Sequence, residues 1–180
     1  MRNEFGHHNN YGTAPAIWVT TAIRRAPSLC EAFEGGLKAA GLANPITIPS
    51  IARIPAGSQV IVNRLDRNHF DNDVSVPGHF AAGMTGQAHR EAAAGVGWVL
   101  SADENPWGFM VARGGSSYEE VEVKIRAELH HLVRHHEAVC WAPPAFEILQ
   151  VKCSGDPVAV IAAGIYQYPQ ARSQVFGLSA

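Results

Sequence analysis

The chain has 180 residues, 47% of them hydrophobic and 17% charged, a balance that excludes an intrinsically disordered protein and fits one compact domain. Fourteen Lys and Arg against sixteen Asp and Glu leave a formal charge of −2, with no run of five like charges. That excludes the electrostatic footprint of a nucleic-acid or anionic-membrane binder.

The strongest apolar runs, Ala92–Leu100 and Val158–Ile165, are about half the ~20 residues a membrane span needs. The opening residues Met1–Asn10 carry no apolar core of an export signal, so a cytoplasmic address is expected. Residues 1–12 read as a flexible polar N-terminus and 13–180 as a single domain. Cys30, Cys140 and Cys153 are odd in number and lack paired spacing, which predicts reduced thiols rather than a disulfide framework or a zinc site.

In chain order, Ala16–Ile23 is β-branched and apolar enough for a buried strand, and Ser28-x-x-Glu31 forms a capping box ahead of Phe33, Leu37 and Ala40. Gly41 closes that helix. Pro45–Ile51 and Ser58–Leu65 read as two strands joined by the tight turn Pro55-Ala56-Gly57, followed by a polar loop at Asp66–Asp73. Ala92–Leu100 and Trp107–Arg113 are strands separated by Asp103-Glu104-Asn105-Pro106. A second capping box, Ser117-x-x-Glu120, opens a helix to about Glu137 with Val121, Ile125, Leu129, Leu132 and Val133 on one face. Pro143-Pro144 breaks the chain before two last strands, Ala145–Lys152 and Val158–Tyr166. This order lacks βαβ alternation, so the expected fold class is α+β with helices on the outer faces.

Several constellations have chemical potential. His130, His131, His135 and His136 crowd the end of the second helix, and His131 with His135 has the i,i+4 spacing of a metal pair. The glutamate of a zinc-protease motif is missing, so a solvated helix end or a subunit-facing surface is expected and no metal site is assigned. His7-His8 reads as polar tail. Gly114-Gly115-Ser116-Ser117 before a helix resembles an anion cradle without its lysine, and a strand-to-helix turn that needs Gly is the expected explanation. Trp18, Trp98, Trp107 and Trp141 are spread over strand-like segments as core residues would be. Of the three lysines, Lys38 and Lys124 lie on helices. Lys152, beside Cys153, is the one whose amine could be desolvated for Schiff-base chemistry, against the alternative of a strand-end side chain reaching to water.

The segment running strand, then Ala32-Phe33-Glu34-Gly35-Gly36-Leu37-x-x-Ala40-Gly41-Leu42-x-Asn44, then Ile51-Ala52-Arg53-Ile54-Pro55 resembles the N-terminal half of the pyruvoyl-dependent arginine decarboxylases. That family has a similar AFDGAL-x-x-AG-I/L-x-N helix before a strand ending Ser-Ser-Ile-x-Pro-Pro. Ala92–Leu100, Trp107-Gly108-Phe109-Met110-Val111, the Ser117–Leu129 helix and the Ala-rich Val158–Tyr166 strand follow in the family's order. The resemblance implies a four-layer αββα sandwich assembled as a homotrimer with active sites between subunits. It also implies a pyruvoyl group, made when a serine attacks the preceding peptide carbonyl, whose ketone forms a Schiff base with substrate.

Aligned without gaps from Phe33 to Pro55, the family's Ser-Ser falls on Ile51-Ala52, and a methyl side chain cannot begin that acyl shift. The family's glutamate proton donor falls on Ala112 or close to it, where Arg113 is the nearest polar group, and its asparagine near the cleavage strand falls on Ile46. Its guanidinium-holding acid corresponds to Glu34. The first expectation is therefore a relative without pyruvoyl or any other cofactor, carrying out cyclisation, elimination or proton transfer on a small molecule between subunits. Glu34 and Glu91 are its candidate acids or bases. Arg53, Arg90 and Arg113 are its candidate anion-holding groups, and Leu37 and Ala52 line the pocket. A second expectation takes Ser50 as the nucleophile of a self-processing decarboxylase, at the cost of two deleted residues inside a strand, which preserves side-chain facing. A third is a non-catalytic binding subunit. No nucleic-acid or membrane partner is expected in any of them.

Overall fold

A computed structural model describes residues 14–42, 47–49, 53–63 and 76–168. The chain is α+β: nine strands in two sheets, and two helices, among the described residues. The elements are β1 (Ala16–Arg25), α1 (Leu29–Ala39), β2 (Thr47–Pro49), β3 (Arg53–Ile54), β4 (Gln59–Val62), β5 (Val76–Thr85), β6 (Glu91–Leu100), β7 (Gly108–Gly115), α2 (Tyr118–Val133), β8 (Ala145–Lys152) and β9 (Val158–Gln167).

One sheet has the order β2-β5-β9-β1-β4 and the other β3-β7-β6-β8. The first is mixed: β9 runs antiparallel to both β1 and β5, whereas β4 and β2 pair in parallel with β1 and β5. The second is antiparallel throughout. Three hydrophobic clusters divide the side chains by strand parity, as the two-residue period of a strand requires. Ile17, Val19, Ala94, Val96, Met110, Ala112, Val160 and Ala162 meet between the sheets. Ala22, Ile161, Ala163 and Ile165 face α1 through Phe33, Leu37 and Ala40. Ala93, Val99, Phe109 and Val111 face α2 through Val121, Ile125 and Leu129. Val158–Tyr166 of β9 is buried at every position because this central strand is covered on both faces.

Both predicted serines are N-caps, each accepting the N–H of the glutamate three residues on. Ser28 Oγ accepts from the Glu31 N–H at 3.2 Å and donates to the Glu31 carboxylate, opening α1. The helix closes as a Schellman turn: Leu42 N–H donates to Leu37 C=O at 2.8 Å and Gly41 N–H to Lys38 C=O at 3.2 Å. Gly41 has φ +79°, a left-handed value that a Cβ would strain. The predicted apolar face of α2 is the buried one, but this helix stops at Val133, short of Glu137. Beyond Leu132 and Val133 the next residues on that stripe are His136 and Glu137, both largely exposed, and the His136 ring packs edge to face on Trp107 after the helix has ended.

At the start of α2, the Glu120 carboxylate accepts from Lys124 Nζ at 2.5 Å, Ser116 Oγ at 2.6 Å and Ser116 N–H at 2.8 Å. The Lys124 contact foremost, and then the two from Ser116, hold its pKa at about 2 against an ordinary 4.5. A carboxylate depressed on folding stabilises the fold above its unfolded pKa and loses that contribution as pH falls toward the folded value. The melting-temperature gap between wild type and Glu120→Gln should be widest above about pH 4.5 and narrow steadily toward pH 2. A gap that is constant over this range would contradict the assignment.

Two expectations change. The turn at Pro55-Ala56-Gly57 is present, with Ser58 N–H donating to Pro55 C=O at 3.2 Å and Gly57 at φ +76°. It does not make a hairpin, because β3 belongs to the four-stranded sheet and β4 to the five-stranded one. The second change is β5, a ten-residue strand where no strand is predicted. The N-terminal residues 1–13, the loop at Asp66–Asp73, and Ile46, Ser50, Ile51 and Ala52 lie outside the described residues.

Candidate functional site

Within one chain the predicted charged residues sit at separate places. Glu34 is exposed on α1 and accepts a weak hydrogen bond from the Cys30 thiol, Sγ to Oε1 3.7 Å. Leu37, one turn on, is half-buried against the outer face of the five-stranded sheet. Arg53 is exposed in β3, opposite Phe109 of β7, with its guanidinium 5.0 Å from the centre of the Trp107 ring. Arg90 and Glu91 are exposed where β6 begins, Glu91 across from Lys152.

Arg113 lies between these groups along the sheet, about 13 Å from Glu91 at ~3.3 Å per residue. It forms an ion pair with Glu128 of α2 and donates to the Ala112 C=O at 2.7 Å. An anionic ligand at Arg113 would have to displace Glu128, so Arg53 and Arg90, which form no ion pair among the described residues, are the freer cations.

Ala112 is 6% exposed and points into the cluster between the sheets. The position that resemblance assigns to a proton-donating glutamate is thus occupied by a methyl group packed among hydrocarbon side chains. Tyr166 is buried in the same cluster, where burial pushes its phenol above the ordinary range and keeps it neutral.

The remaining motifs resolve as structure. The cradle at Gly114–Ser117 is filled by the chain itself: Glu120 takes the Ser116 donors, Ser117 Oγ takes the Glu120 N–H, and Gln150 Oε1 takes the Tyr118 N–H. The Ser116 donors and the Tyr118 and Glu120 N–H groups are thus already taken within the chain. The histidines at the end of α2 are exposed, His131 and His135 stacking edge to face at 5.5 Å. Among the described residues no group of three His, Cys, Asp or Glu is gathered as a metal site would need. Lys152 is exposed at its strand end, Cys30 and Cys140 are exposed free thiols, and Cys153 is a buried one. Trp107 and Trp141 pack against the α2-facing cluster, Trp98 against the inter-sheet one and Trp18 against that under α1.

The sequence reading overlooks Glu147. In β8 the residues facing the other sheet are Glu147, Leu149 and Val151, as their register with Val96, Ala94 and Ala92 shows. Glu147 is half-buried, and its carboxylate accepts from Thr21 Oγ1 of β1 at 3.5 Å. With Val19, Thr21, Val62, Asn63 and Leu149 it lines a cleft of about 210 Å³ at the open side of the sheet pair. The available signal was a charge at an inward position of an otherwise apolar alternation, Ala145–Lys152. A wider depression of about 460 Å³ lies at the ends of β1, β4 and β9, lined by Gln59, Gln167 and Tyr168 among others.

These features define an α+β protein of two facing sheets, each covered by one helix, with small clefts at the sheet margins. No protein-family model matches the chain, and no curated protein matches it. Among the described residues no helix is long and apolar enough to cross a membrane.

Proposed function

We propose that this chain is a divergent relative of the pyruvoyl-dependent arginine decarboxylases, folded as their four-layer αββα sandwich, that has lost the pyruvoyl group. It carries out acid–base chemistry on a small molecule in a pocket completed by neighbouring copies of a homotrimer. The observation that carries this reading is the methyl group of Ala112 in the inter-sheet core, together with the missing hydroxyl at Ala52 in the sequence. In the gapless alignment the residues do not fit a pyruvoyl centre: Ala52 lacks the nucleophile's hydroxyl, and the acid that would work beside it falls at or near Ala112. The succession α1, five-stranded sheet, four-stranded sheet, α2 supports the layered fold.

Without an electron sink, the reactions open to the site are those that proton transfer alone accelerates: cyclisation, elimination or isomerisation. Glu34 and Glu91 are exposed and unpaired with cations among the described residues, hence free to act once a second copy encloses them. Arg53 and Arg90 are available to hold an anionic substrate group. Light scattering should give three times the mass of one chain. Phenylhydrazine, which condenses with ketones, should add no mass to the purified protein. A monomer would remove the shared pocket, and a hydrazone adduct would restore the pyruvoyl group.

A further inference from the structure

We propose that the cleft at Glu147 binds a small organic cation, an ammonium group on a short alkyl chain. The inference stands apart from the proposed function, since none of the residues assigned by resemblance takes part. Glu147 points toward the opposite sheet rather than outward, and its one hydrogen-bond partner among the described residues is the Thr21 hydroxyl at 3.5 Å. No Lys, Arg or His among the described residues pairs with it. A half-buried carboxylate with one long hydrogen bond leaves most of its acceptor capacity unused and open to a cation.

The cleft supplies the rest of such a site. Thr21 Oγ1 beside the carboxylate, and Asn63 elsewhere in the lining, add oxygen acceptors for the three donors of an ammonium group. The backbone of Asn63 is fixed by its N–H to the Val19 C=O at 3.1 Å, so the rim is anchored. Val19, Val62 and Leu149 form apolar walls. A volume of about 210 Å³ lies below the ~300 Å³ at which drug-sized sites begin and holds about seven waters at ~30 Å³ each. The occupant is therefore a chain of a few carbons with one charge. An inward charge on an edge strand can also serve to discourage strand pairing. That role needs neither the cleft nor the Thr21 hydroxyl on the carboxylate.

The test is an NMR titration of the full chain with n-butylammonium chloride, against sodium chloride at equal ionic strength and against butan-1-ol. The expected result is saturable shifts centred on Val19, Thr21, Val62, Asn63 and Leu149, with a millimolar Kd as suits so small a ligand. Glu147→Gln, nearly isosteric, should weaken binding about tenfold or more, and Thr21→Val about threefold. Thr21→Val keeps the proposal testable if the Glu147 variant folds poorly. Shifts equal with butan-1-ol or sodium chloride, or unaltered affinity in the folded variants, would overturn it and leave Glu147 as a guard of the sheet edge.

Discussion

Gly83→Val should lower the unfolding free energy by about 3 kcal/mol or more, at the top of the range for overpacked cores. Gly83 in β5 and Gly114 in β7 are where the two sheets touch backbone to backbone. A Cβ at Gly83 would overlap the Ala93 carbonyl, and one at Gly114 the Ala82 carbonyl. Neither neighbour is a side chain that could rotate away, so the sheets must separate and the whole inter-sheet cluster loosens. Gly86→Ala is the matched control, because its added Cβ meets only ordinary contacts, the nearest Pro157 Cγ at 3.7 Å. Urea titrations should show Gly86→Ala within about 1 kcal/mol of wild type and Gly83→Val far below both. Equal midpoints for the two variants would mean that the sheets do not approach this closely.

Ala112→Glu, which restores the acid found in the resembled family, should cost about 3–5 kcal/mol. The new carboxylate would enter a cluster of Ile54, Val96, Met110, Val160 and Ala162 that also holds the neutral Tyr166 phenol and the Cys153 thiol. An unpaired buried charge either destabilises the fold or takes up a proton, so the deficit should shrink as pH is lowered through the raised pKa of the new group. Ala112→Val, similar in polarity to the native residue, should cost far less. If Ala112→Glu were as stable as wild type at pH 7, an unrecognised polar pocket would lie beside β7, and the proposal that this centre has been dismantled would fail.

Local signals carried much of the architecture. Ser28-x-x-Glu31 and Ser117-x-x-Glu120 place both helix starts where they occur, because a capping box depends only on residues three apart. The bounds of β8 agree with its apolar alternation, and β9 exceeds the predicted strand by one residue. The strand β5 contains Pro77, Gly78 and Gly83, residue types that strands disfavour. Yet Pro77 lies near the start of the strand, and Gly83 is demanded by the neighbouring sheet, a partner distant in sequence. Sheet membership of β3 and β4 was hidden for the same reason, since a four-residue turn says nothing about whether it closes a hairpin or crosses a core. In the candidate site, charge made Glu34, Glu91 and Arg113 visible, but the Arg113–Glu128 pair depends on the packing of α2 over β7. Glu147 interrupts an apolar alternation in the sequence, and the register with Val96 shows that this position faces inward.

The intact mass of freshly purified full-length protein tests the absence of self-processing most directly. One species is expected, with the mass of the uncut 180-residue chain, unchanged on prolonged incubation. Two fragments, residues 1–49 and a 50–180 piece blocked by a keto-acyl terminus, would show that Ser50 does what Ala52 cannot and that the chain is a pyruvoyl enzyme after all.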